Sequence, residues 1–163
     1  VRNNLKLPLF AALAFGMIAV LATPALADSR CYDQEQFEAD RGLRLHTDVE
    51  VIMLTCRYST KAEDLRKLYL AFLKKNAPTI RKWEKVIAKA YAGTGRSSNE
   101  VIDNFRTSLA NQKAGEAARL GPKPFCKQWA DFVPYAVNLT PEQVREYVHE
   151  PDKARPTKRQ PCG

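Results

Sequence analysis

The chain lacks most of the patterns by which enzymes and cofactor proteins can be read. It holds only two histidines, His46 and His149, in 163 residues. There is no C-x-x-C pair for dithiol exchange and no C-x-x-C-H for covalent haem, and none of the four cysteines has zinc-pair spacing. A nucleophile elbow, an H-E-x-x-H helix and a paired-carboxylate motif are also missing. Gly93 and Gly95 form a G-x-G, but no strand precedes it and no Lys-Ser/Thr follows, so it reads as a loop. No stretch alternates as a half-buried strand would, and no internal repeat recurs. These absences point to an all-α chain without a catalytic constellation, for which no cofactor is expected.

What is present begins with an export pattern. Arg2 and Lys6 precede the apolar run Leu7 to Ala22, and Ala25 and Ala27 supply the small residues of a cleavage site before Asp28. Residues 1–27 therefore read as a signal peptide; an uncleaved anchor is the alternative, because the apolar run is nearly long enough to span a bilayer. Cleavage leaves 136 residues, Asp28 to Gly163, and lowers the formal charge from +8 to +6 as Arg2 and Lys6 depart. That length suits one domain. We expect a helical bundle over 28–150 and an extended, basic, proline-rich tail over 151–163 tied back through Cys162. Export with four cysteines implies the oxidising periplasm or the cell exterior, with no transmembrane span after cleavage.

The stretch from Cys31 to Cys56 reads as one helix. Asp33 and Gln36 form a D-x-x-Q capping box. Phe37, Leu45, Val49, Ile52, Met53 and Cys56 then recur at helical spacing, predicting one wide buried face, with Gly42 marking a close crossing. Helix two opens at Thr60 with Glu63. Its apolar series, Leu65, Leu68, Tyr69, Phe72, Ile80, Trp83, Val86, Ile87, Ala90 and Tyr91, keeps phase across Pro78, with Asn76 filling the intervening slot. A single kinked helix is therefore favoured over a hairpin at Pro78. Helix three opens at Ser97 with Glu100 and ends at Gly121, Pro122 and Pro124. A short helix from about Phe125 to Pro134 follows, and another is opened by Thr140, Pro141 and Gln143 and stops before Pro151. The fold class is an all-α bundle of three long helices and two short ones, stapled by two disulfides.

Helix length constrains the cysteines. About 25 helical residues span roughly 37 Å, whereas bonded cysteines need Cα atoms within about 7 Å. Cys31 therefore cannot meet Cys56. If helix two is one rod, Cys126 begins at the end where Cys56 lies, favouring Cys56 with Cys126 and Cys31 with Cys162. A hairpin at Pro78 would instead bring Cys126 beside Cys31.

Few residues suggest chemistry. His46 and Glu50 lie one helical turn apart, which suits a metal or acid/base pair. The simpler expectation sets His46 at the border of the buried face with Glu50 as its partner. Non-covalent haem on Met53 and His149 is disfavoured, since those positions fall far apart along the chain's helices. Charge is more telling. From Lys61 to Tyr91 nine basic residues face three acids, Glu63, Asp64 and Glu84, a net +6 that matches the whole mature excess. Such a run is ordinarily a solvated helix face. The sharper reading makes Arg66, Lys67, Lys74, Lys75, Arg81, Lys82, Lys85 and Lys89 a docking surface for an acidic protein or an anionic envelope surface, with nucleic acid not expected. Three functions are thus carried forward: an adaptor or inhibitor using that surface, an ATP-independent holdase, and a metal protein or enzyme centred on His46 and Glu50.

Two resemblances bear on these. Leu139, Thr140 and Gln143 form an L-T-x-x-Q string that resembles the repeated motif of the Spy and CpxP group of helical periplasmic chaperones, which implies ATP-independent binding of unfolded chains. Those proteins carry two such motifs and no cysteines; here there is one motif, and T-P-E-Q is also an ordinary capping box. More broadly, Cys31-Tyr32, Leu45-His46 leading to Cys56, and Phe125-Cys126 make the chain similar to uncharacterised small exported helical proteins of Gram-negative bacteria. That similarity implies fold and compartment and supplies no activity.

Overall fold

The computed structural model describes residues 31–58, 63–150 and 153–162. The expected signal peptide, the Thr60 cap and Lys61 lie outside these residues. Three long helices, α1 (Gln34–Cys56), α2 (Glu63–Ala90) and α3 (Ser98–Leu120), are followed by three short ones, α4 (Pro122–Trp129), α5 (Phe132–Asn138) and α6 (Pro141–His149). Among the described residues there is no strand, and no helix is long and apolar enough to cross a membrane.

The starts follow their caps. Asp33 and Gln36 close a full reciprocal box, and so do Thr140 and Gln143. Ser97 accepts from the Glu100 N–H, but the Glu100 carboxylate turns to Arg96 instead of completing the box. Helix two is one helix through Pro78. Asn76 is buried in phase with its apolar neighbours and donates from Nδ2 to the Phe72 carbonyl at 3.0 Å, so its amide does not lie wholly unpaired in the core. The segment expected as a single helix ending at Pro134 instead breaks at Ala130–Asp131 into α4 and α5. Pro134 falls in the first turn of α5, where backbone N–H groups have no intrahelical partner to lose.

The layout differs most from expectation at α1. It does not present one buried face: every residue from 39 to 49 is buried, because α2, α3, α4, α5 and α6 all pack against it. Trp83 of α2 shows how tightly. A Cβ placed on Gly42 would lie 2.5 Å from the Trp83 ring, so only glycine admits this approach. The indole N–H donates to Glu38 at 3.1 Å, holding the ring over that gap.

Both disulfides pair as favoured, Cys56 with Cys126 and Cys31 with Cys162, at Cα separations of 5.4 and 5.1 Å. Cys31 precedes α1 by three residues rather than lying in it. Beside it, the Tyr32 N–H donates to the Gln160 carbonyl at 2.9 Å and the Cys162 N–H to the Tyr32 carbonyl at 2.8 Å, so the tail is laid along the start of the chain.

Candidate functional site

A helix enclosed on all sides must neutralise any charge it carries, and α1 carries several. Asp40 pairs with Arg44 one turn on, and Arg44 also donates to Gln112 of α3 at 3.1 Å. Arg41 donates to the carbonyls of Glu150 and Ala154, the latter at 3.1 Å. Asp48 lies 2.7 Å from Arg155 of the tail. Every one of these buried charges meets a counter-charge or backbone oxygens, as burial demands. Asp48 and Arg155 meet as an ion pair without hydrogen-bond alignment.

This seam opens into a cavity of about 320 Å³ lined by Asp48, Lys113, Glu116, Trp129, Tyr147 and Arg155. The Lys113 ammonium sits 2.9 Å from Glu116 and 3.3 Å above the Trp129 ring centroid, while the Trp129 N–H donates to Glu116 at 2.8 Å. Burial would raise Glu116, but those two hydrogen bonds together with the charges of Lys113 and Arg119 outweigh it and hold the carboxyl below its ordinary range. Its cations and anions lie against one another where α1, α3, α4, α5, α6 and the tail meet.

The His46 ring and the Glu50 carboxylate turn to different partners. His46 is 2% exposed, stacked between Tyr69 and Phe72 with centroids 6.3 and 6.4 Å away, and neither ring nitrogen makes a hydrogen bond. Glu50 turns instead to Arg106 of α3 at 3.6 Å. The expected pairing fails because α2 encloses the ring that was placed at the border. Burial, reinforced by Arg106, drives His46 from an ordinary 6.5 down to about 4. Its contribution to stability is full above pH 6.5 and is lost as pH falls toward 4. Asp48 runs the other way: burial raises it from 3.8 to about 6, against the pull of Arg155, Lys113 and Arg44. Its contribution is present below pH 3.8 and lost as pH rises through 6. His149 lies in the last turn of α6 and contacts Gln34 at 3.2 Å and Glu38 at 3.3 Å. Among the described residues no group of three or more His, Cys, Asp or Glu side chains is placed to hold a metal ion.

The basic residues of α2 do come together. At 100° per residue, Leu65, Tyr69, Phe72, Asn76, Ile80, Trp83 and Ile87 define the buried side; of the eight cations from Arg66 to Lys89, seven fall on the opposite half and Arg66 at its edge. All eight are exposed. They run along about 35 Å of helix. Within this row Lys82 is tethered to Glu35 at 3.1 Å and Lys75 to the Val137 carbonyl at 3.1 Å. At the α1–α2 end of this row lies an open depression of about 720 Å³, lined by Leu54, Arg57, Tyr58, Arg66, Lys67 and Leu70 among others. Comparison with known proteins returned no matching family model, curated protein or solved structure.

Proposed function

We propose that the chain is an exported, non-enzymatic binding protein of the periplasm that docks on an extended anionic partner through the outer face of α2. The observation that carries this reading is the row of eight exposed cations on α2, seven of them on the half opposite its core side chains. A row of one sign about 35 Å long exceeds the Debye length of about 8 Å at physiological salt. A compact ligand can therefore meet only part of it, and an extended anion is required to use it all. The closed disulfides support an oxidising compartment. The enclosed, unpaired ring of His46 gives a site at His46 and Glu50 no support.

The test is binding to poly-L-glutamate, followed by light scattering or surface capture. Reversal of Lys74, Lys75, Lys82 and Lys85 to glutamate is expected to abolish binding while leaving the helical circular dichroism spectrum intact. Rising salt should weaken the parent steeply. Equal binding by parent and reversed variant would remove α2 as the docking face.

A further inference from the structure

The exposed apolar side chains are not scattered. Among the described residues four large hydrophobics stand out on the surface, Leu54 at 48%, Tyr58 at 84%, Leu70 at 51% and Tyr135 at 44%, and the first three line the depression at the α1–α2 end. Leu54 lies in the last turn of α1 and Tyr58 two residues past its end, and both line this depression. Leu70 belongs to the cationic half of α2, with Arg66, Lys67 and Lys74 as its i−4, i−3 and i+4 neighbours. The Arg57 guanidinium lies 4.7 Å over the Tyr58 ring.

Resting on the reading above, we infer that the anionic partner is a phospholipid bilayer, with Leu54, Tyr58 and Leu70 inserting at the headgroup boundary while the cations of α2 lie along the charged surface. Charge complementarity decides the occupant. A soluble polyanion matches the row of lysines and arginines but offers nothing apolar to Leu54 and Leu70. An anionic bilayer supplies both, with negative headgroups over the length of α2 and acyl chains beneath them. A tyrosine ring under an arginine guanidinium has the amphipathic character of side chains that settle at a membrane interface.

The experiment compares the parent chain, the four-lysine reversal and a Leu54→Gln, Tyr58→Gln, Leu70→Gln variant. Each is co-sedimented with vesicles of phosphatidylglycerol and phosphatidylcholine, with vesicles of phosphatidylcholine alone, and in parallel bound to poly-L-glutamate. We expect the parent to bind the mixed vesicles and not the neutral ones. The apolar variant should lose at least about tenfold in vesicle affinity, less than the burial of a single leucine is worth, and keep its binding to poly-L-glutamate. An apolar variant that binds mixed vesicles like the parent, or a parent that binds poly-L-glutamate but no vesicle, overturns the bilayer assignment and leaves the basic face standing. A reversal variant that still binds poly-L-glutamate fails the basic face itself.

Discussion

Replacing Gly42 by alanine tests the central crossing of the bundle. The added Cβ would fall 2.5–2.6 Å from three carbons of the Trp83 ring, closer than such contacts allow, and the atoms in the way belong to a rigid bicycle. Trp83 is 2% exposed, so it has no free space to retreat into. Overpacking of this kind costs about 1–3 kcal/mol. If the ring swings away it also leaves Glu38, forfeiting about 1 kcal/mol, while alanine returns up to about 1 kcal/mol of helix propensity. The net loss is about 1–3 kcal/mol. Gly115 in α3 supplies the control, since a Cβ there meets nothing within 4 Å. The same substitution should stabilise there by about 0.5–1 kcal/mol. Urea unfolding of the oxidised protein, followed by circular dichroism, reads both midpoints. Opposite signs are expected, and a Gly42→Ala protein as stable as the parent would show that Trp83 does not seat on α1.

The other stability predictions concern the buried titrating groups and the staples. Between about pH 4 and 6 the contributions of His46 and Asp48 oppose, so the parent's stability should be nearly level there; Asp48→Asn should expose a fall with acid and His46→Leu a rise, each about 1.4 kcal/mol per pH unit. Parallel slopes for both variants would refute the opposition. At pH 7, His46→Leu should stabilise by about 1–2 kcal/mol, because it removes two buried nitrogens that make no hydrogen bond; a destabilised variant by thermal melting would contradict that geometry. Cys56→Ser with Cys126→Ser opens a loop of 70 residues and should lower stability by about 4 kcal/mol. A shift under about 1 kcal/mol in urea would show that the unfolded chain gains little freedom from losing that staple.

What the sequence made legible was whatever local periodicity and capping determine. The phase of Leu65 through Ile87 across Pro78 identified one helix, and with it the cysteine pairing. Gly42 at a crossing and the boxes at Asp33 and Thr140 were equally local signals. The enclosure of α1 was not legible, because Asp40, Arg41, Arg44 and Asp48 look like a solvated face. Their partners Gln112, Glu150, Ala154 and Arg155 lie more than 60 residues away in the chain. An acid–base–acid spacing of four at Asp40, Arg44 and Asp48 was the one available hint. The break between α4 and α5 carries no glycine or proline, so no local marker announced it. The basic face was legible as composition, and its geometry needed the structure only to show that the opposite face is buried.

The row on α2 also has a cost that bears on its purpose. Elsewhere the surface helices place opposite charges a turn apart, as in Arg96 with Glu100, Lys113 with Glu116 and Arg145 with Glu142. On α2, Arg81, Lys85 and Lys89 are successive i,i+4 neighbours of one sign, with Lys82 also three residues from Lys85. Like charges so spaced destabilise a helix by about 0.2–0.5 kcal/mol per pair. Solubility alone is served as well by mixed signs, so neither solubility nor helix stability calls for a row of one sign. Lys85→Glu separates the two roles, since it turns three repulsive spacings into attractive ones. It should therefore raise stability by roughly 1 kcal/mol at low salt while weakening binding to the polyanion. An increase in stability with no loss of binding would show the row to be a solvated face and nothing more.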